Sequence, residues 1–419
     1  MTVLDLSWIR AQFPALRQQI NGHPVLFLDG PGGTQVPQRV IDAITNYLLT
    51  ANANQHGAFA TSVYTDALVN QARAAVADFL GCDAGEVVFG ANMTTLTFAI
   101  SRAIGRSLQA GDEIVVTQLD HDANVSPWLA LKERGVIVRT ANIHLEDCTL
   151  DLVDLERQIT PRTKLVAIGY ASNAVGTINN VAQIIKLAHA VGAATFVDAV
   201  HYAPHGLINV RSLDCDFLVC SAYKFFGPHV GILYGKREHL ARLYPYKVLP
   251  APNEVPCRWE TGTLNFEGLA GVVACIDYLA ELGRRIISTA TDRRQALMTA
   301  MVAIQEYERS LSDSLIPHLL EIPGLTLYGI QNPAHFVWRT PTIAFRLAGY
   351  SPAELAGALG DRGIFAWHGH FYALNLIQHL GLEARGGLLR IGCTHYNTPE
   401  EIYRLLHILH ELAVHPIAA

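Results

Sequence analysis

Seven short aliphatic runs constrain this chain more than any other feature: EVVFG (86–90), EIVVT (113–117), VIVRT (136–140), KLVAIGY (164–170), ATFVDAV (194–200), DFLVCSA (216–222) and VGILYG (230–235). Runs this long that stay apolar, rather than alternating, read as strands buried on both faces. Most are separated by 18 or more residues able to form helices, such as 66–80 and 181–191. Such spacing predicts a mainly parallel sheet with helices on both sides. Only Tyr223–His229 separates the last two runs. That is too short for a helical crossover, so the seventh strand is predicted to run antiparallel to the sixth.

At 419 residues the chain exceeds one ordinary core. After about residue 270 the pattern changes to fewer strands (325–329, 342–347, 387–392) mixed with helices. The expected organisation is an N-terminal segment, 1–24, packed on a smaller α/β unit, 271–419, with a large unit at 25–270. Thr398-Pro399-Glu400-Glu401 supplies an N-cap, a first-turn proline and a capping-box glutamate for a final helix.

A net charge of -6 gives no general attraction to nucleic acid or anionic lipid, and neither partner is expected. The opening MTVLDLSWIRAQFPAL carries charges where a signal peptide needs an apolar core, and no apolar run reaches membrane-spanning length. Seven scattered cysteines without a C-x-x-C pair read as reduced thiols of a cytoplasmic protein, with no disulfide or zinc expected.

Ligands of open parallel sheets gather at the C-terminal strand ends, so the polar residues following each run form one candidate set. Met93-Thr94-Thr95 open a helix whose free N–H groups suit a phosphate. Asp120-His121-Asp122, Ser172-Asn173, Asp198 with His201, and Ser221 with Lys224 follow the others. Each alone has an ordinary explanation: an aspartate after a strand commonly caps a helix, and a loop histidine or lysine is commonly a solvated side chain. Five strand ends carrying a phosphate cradle, an imidazole, an amide, a carboxylate and an amine match what a pyridoxal ring requires.

The segments FVDAVHYAPH and SAYKFFGPHVGILYGK resemble the aspartate and lysine motifs of class V aminotransferases, the fold-type-I group that includes cysteine desulfurases. LDHDANVSPW, YASNAVGTINN, RWETGTLNFEG and LLRIGCTHYNTPEE resemble further stretches in the same order, from about residue 25 to the C-terminus. The resemblance implies a PLP-dependent transferase of fold type I, an α/β protein with pyridoxal 5'-phosphate held as a Schiff base on Lys224. Lys224 would then move the substrate Cα proton, Asp198 would pair with the pyridine nitrogen, and His121 would stack on the ring. Asn173 and His201 would flank the ring hydroxyl. The Met93 backbone, Thr94 and Ser221 would hold the phosphate. Thr263 would reach the phosphate of a partner subunit, making a homodimer, and Arg390 would clamp the carboxylate of a small amino-acid substrate.

Two departures bear on the reaction. The loop that carries the sulfur-accepting cysteine in related desulfurases corresponds to Trp367-His368-Gly369-His370-Phe371-Tyr372, with Tyr372 at the cysteine position and His370 beside it as a further substrate contact. Tyr223 replaces the histidine that precedes the lysine there. The expected reaction is Cα deprotonation and β-elimination of the carbon–sulfur lyase type. Transamination, desulfuration through another thiol, and a non-catalytic pyridoxal-phosphate carrier stand as alternatives. Two other patterns are set aside. Gly30-Pro31-Gly32-Gly33 lacks the third glycine of a dinucleotide motif, since Gln35 stands there. The His201–His205 and His368–His370 spacings lack nearby acidic or cysteine ligands, so no metal is expected.

Overall fold

The computed structural model describes residues 4–289 and 292–414; the first three residues of the expected N-terminal segment lie outside that range. All seven runs are strands of one sheet: β1 Val87–Gly90, β2 Glu113–Thr117, β3 Ile137–Ala141, β4 Thr163–Gly169, β5 Ala194–Asp198, β6 Phe217–Ser221 and β7 Gly231–Gly235, in the spatial order β1-β7-β6-β5-β4-β2-β3. β2 to β6 pair in parallel, whereas β7 runs antiparallel to both β6 and β1. Leu165 to Ile168 of β4 are fully buried. Each large aliphatic side chain there contributes about 1.5–3 kcal/mol over exposure, so no alternation is needed and none occurs.

Helices around this sheet include α1 Leu6–Gln12, α2 Gln38–Thr50, α3 Ala60–Leu80, α4 Met93–Gly105 and α5 Val181–Ala190. Separate apolar cores fill its two faces. The expectation of long crossover helices fails in two places. Between β2 and β3, and again between β5 and β6, only short helical pieces such as Ser126–Leu129 and Val210–Leu213 form. Pro127 sits in the first turn of the short helix Ser126–Leu129 and Pro204 lies in a turn, and His121 and His201 are carried on the irregular backbone before them.

The next helices, α6 Phe266–Ile286 and α7 Arg293–Leu320, are followed by a four-stranded sheet of β8 Leu325–Tyr328, β9 Thr342–Leu347, β10 Trp367–Gly369 and β11 Leu388–Gly392, ordered β8-β9-β11-β10. A third apolar core lies between this sheet, α7 and the final helix α8 Pro399–Val414. Residue 270 falls inside α6, which packs on α2, α3 and α7, so no break in the chain occurs there. Strand β10 has no counterpart among the sequence expectations; it is an edge strand with little burial. The capping box of α8 is present, Glu401 N–H donating to Thr398 Oγ1 at 3.3 Å and Thr398 N–H to Glu401 Oε2 at 3.1 Å.

The N-terminal segment wedges between units. Phe13 meets Phe226, Tyr278 and Tyr396 in a buried aromatic cluster, and Arg10 pairs with Glu401 at 2.9 Å. No described helix is long and apolar enough to cross a membrane.

Candidate active site

The C-terminal ends of β1, β2, β4, β5 and β6 point at one cavity of about 760 Å³, closed on its far side by β10 and β11. Strand register fixes the near wall, since Gly169 pairs with Asp198, and Gly231 pairs with both Gly90 and Ser221. The α4 N-terminus enters this wall closely, because Gly231 packs on the Asn92 backbone where a Cβ would have no room. Asn92 caps α4 by accepting from Thr95 N–H at 2.9 Å.

Ten of the expected site residues line the cavity: Met93, Thr94, His121, Asn173, Asp198, His201, Lys224, His370, Tyr372 and Arg390. Two do not. Ser221 sits just behind, its Oγ accepting from Met93 N–H at 3.1 Å, so that N–H is already engaged. Thr263 is exposed, outside the cavity of its own chain.

Lys224 Nζ donates to the carbonyls of Pro31 and Gly32 and lies 5.1 Å over the Tyr223 ring. Burial, then repulsion from Arg390, pulls its pKa down to about 7, against the attraction of Asp198. Asp198 is buried with Oδ1 accepting from Val200 N–H at 2.9 Å, and burial raises its pKa to about 6. His121 Nδ1 accepts from Ala123 N–H at 3.0 Å, which places the proton of the neutral ring on Nε2. Burial, Lys224 and Arg390 hold its pKa near 4, so the ring is neutral at ordinary pH. His201 is driven well below the usual range by burial, then by His205, Arg390 and Lys224; its Nε2 meets Thr340 Oγ1 at 3.3 Å.

The far wall carries the substrate end. Arg390 on β11 stands opposite Trp367 on β10, and its Nη1 donates to Asn173 O at 2.7 Å. Burial lowers its pKa to about 9, which still leaves it charged at neutral pH. The stretch 370–372 is tied down: Asn173 Nδ2 donates to Phe371 O at 2.7 Å, Asp122 N–H donates to Tyr372 O at 2.7 Å, and His370 Nδ1 accepts from Tyr372 N–H at 3.0 Å. Tyr372 also stacks on His121 with ring centroids 5.4 Å apart.

Pyridoxal phosphate fits these walls. Lys224 donates hydrogen bonds to backbone carbonyls, the buried Asn173 Oδ1 has no partner, and Asp198 lies at the end of the neighbouring strand. An amine, an acceptor and an anion thus face the same space that the α4 N-terminus enters.

Sequence reasoning missed two contributions. The Gly30–Gly33 turn, weighed only as a nucleotide motif, supplies the carbonyls that hold Lys224, and Gly32 packs under the Trp367 indole with no space for a Cβ. Its position after the apolar run VLFL was the available signal. Phe371, whose ring lies under Arg390 Cζ at 4.3 Å, enters the sequence reading only as part of the 367–372 stretch, with nothing there to give it a role.

A family model described as aminotransferase class-V matches residues 26–405. A cysteine desulfurase of Pectobacterium carotovorum subsp. carotovorum (strain PC1) is 34% identical over 415 residues, covering 95% of each chain. Aminotransferase-like protein FGM3 of Gibberella zeae is 31% identical, covering 95% of this chain and 96% of its own. The structure of a cysteine desulfurase from Thermococcus onnurineus NA1 superposes with a TM-score of 0.85 at 28% identity, covering 96% of this chain and 98% of the other.

Proposed function

This chain belongs to the class-V aminotransferase family and is a pyridoxal-phosphate enzyme of the cysteine-desulfurase type, and on that premise we propose that it catalyses β-elimination from a small β-substituted amino acid. The observation that carries this reading is the wall chemistry. The cavity presents an amine, carboxylates, imidazoles and a guanidinium, but among the described residues none that lines it is a cysteine. Transfer of sulfur to the protein needs a thiolate within reach of the substrate sulfur. Cys393, the cysteine nearest Arg390 in sequence, is buried in the core of the smaller sheet, and burial pushes its thiol pKa far up.

Bound at Lys224, the cofactor supplies an electron sink for the carbon adjacent to the substrate amine. The chain's own groups do the rest. Arg390 binds the carboxylate through its planar guanidinium. Lys224 Nζ, with a pKa near 7, would take the Cα proton. With the cofactor in place, Asp198 would pair with the ring nitrogen, the neutral His121 would lie over the ring, and Asn173 and His201 would serve the ring hydroxyl. Ser221, Thr94 and the α4 N-terminus serve the phosphate. Loss of the Cα proton and of the β-substituent with its electron pair leaves an unsaturated amine, which water converts to pyruvate and ammonia for a three-carbon substrate. Thr263, exposed on its own chain, serves the phosphate of a second subunit in a homodimer.

The test supplies cysteine, cystine and other β-substituted amino acids and measures pyruvate, ammonia, sulfide and alanine, with mass spectrometry of the protein. Pyruvate and ammonia in equal amounts are expected. Stoichiometric persulfide on any cysteine, with alanine as product, overturns elimination in favour of desulfuration. Turnover that requires a keto acid overturns it in favour of transamination.

A further inference from the structure

Arg390 is lightly held for a clamp. Its Nη1 donates to Asn173 O at 2.7 Å, whereas its Nε is buried without a hydrogen-bond partner. A guanidinium recognises a carboxylate through donors lying in its own plane, so the plane itself has to be fixed. The Phe371 ring lies under it, with Arg390 Cζ over the ring face 4.3 Å from the centroid. Stacking occupies the face and leaves the in-plane donors available.

Phe371 holds this place against its backbone preference. Its φ is 53° and that of Tyr372 is 57°, two successive side-chain-bearing residues in the left-handed region. The strain is held by Asn173 Nδ2, bonded to Phe371 O, and by Asp122 N–H, bonded to Tyr372 O. Asn173 therefore grips both partners at once, Arg390 through its backbone carbonyl and Phe371 through its side-chain amide.

We propose that Phe371 is the positioning residue for Arg390, fixing the guanidinium plane so that its free donors meet the carboxylate of an amino-acid substrate. The inference rests on the amino-acid reading given above and extends it to Phe371, which lies in the Trp367–Tyr372 stretch but has no role assigned from the sequence.

The test measures equilibrium binding to the holoenzyme through cofactor absorbance, using 2-aminoisobutyrate, which has no Cα proton to lose, and isopropylamine, the same skeleton without the carboxylate. The native enzyme is expected to prefer the acid. Phe371→Ala and Phe371→Leu are expected to lower that preference about 5- to 30-fold, the range of a partly to fully desolvated cation–π contact. Binding of isopropylamine is expected to hold, and Phe371→Tyr to retain the preference. Should the alanine variant not fold, the leucine and tyrosine variants decide the matter. An unchanged preference in the leucine variant, or an equal loss of both probes, overturns the role of Phe371 alone. A native enzyme with no preference for the acid overturns the amino-acid reading, and this inference with it.

Discussion

Lys224 stands among competing influences: burial and Arg390 disfavour its charge, and Asp198 favours it. Its pKa of about 7 against an ordinary 10.5 has a definite sign. The unfolded chain binds the proton more tightly, so this group's contribution to apoprotein stability rises with pH between about 7 and 10.5. The same shift makes the amine a nucleophile near neutrality. Covalent cofactor capture by the apoprotein, followed by stopped-flow absorbance, should therefore gain rate with a midpoint near pH 7, and Asp198→Asn should move that midpoint lower. Lys224→Ala should carry no borohydride-fixed cofactor, and a pyridoxyl label on another lysine of the native protein would contradict the assignment. Lys224 and Asp198 were legible in the sequence because each has a charged side chain placed at or just after the C-terminal end of a buried strand. The carbonyls of Pro31 and Gly32 were not, since backbone groups leave no signature, and Phe371 acquires its meaning only from Arg390, far along the chain.

Between elements, the Arg73–Glu260 pair joins α3 to the segment that leads into α6. Both side chains are buried, the closest contact is 2.6 Å, and Glu260 Oε1 also accepts from Phe89 N–H on β1 at 2.9 Å. A buried pair of this kind is costly to break on one side, because the remaining charge keeps its desolvation penalty. Glu260→Gln should cost about 3–5 kcal/mol in urea unfolding, whereas Arg73→Met combined with Glu260→Met should recover much of it. A loss below about 1 kcal/mol in the single variant would show the pair to be dispensable. The same contrast explains which elements could be read in advance. The interior strands of the large sheet announce themselves by apolar runs because both faces are covered, whereas the edge strand β3 is only partly buried. Strand β10 holds Trp367, His368 and Gly369, half exposed at a sheet edge, and exists only because Leu388–Arg390 lies beside it. That stretch was expected to read as a loop; edge pairing with a distant partner leaves no periodicity to find.

At the scale of the whole molecule, apolar side chains stand in water along α2 and at the start of α3, with Leu49 79% and Phe59 59% exposed, as Thr263 is on its own segment. A second copy covering them would complete the cofactor site. Sedimentation should show a dimer, Leu49→Glu with Phe59→Glu should give single chains that lose cofactor, and Thr263→Ala should weaken retention within an intact dimer. A fully active, cofactor-saturated single chain would rule the shared site out. The antiparallel β7 sets an order on synthesis as well. Strand β1 has β7 as its one neighbour in the sheet among the described residues, and the two are separated by everything from Gly90 to Gly231. On a ribosome adding about 5–20 residues per second, β1 therefore waits on the order of ten seconds for its partner. Throughout that interval the nascent chain displays an apolar strand with open hydrogen-bonding edges, which makes the first quarter of this protein a natural client for a chaperone acting at the tunnel exit.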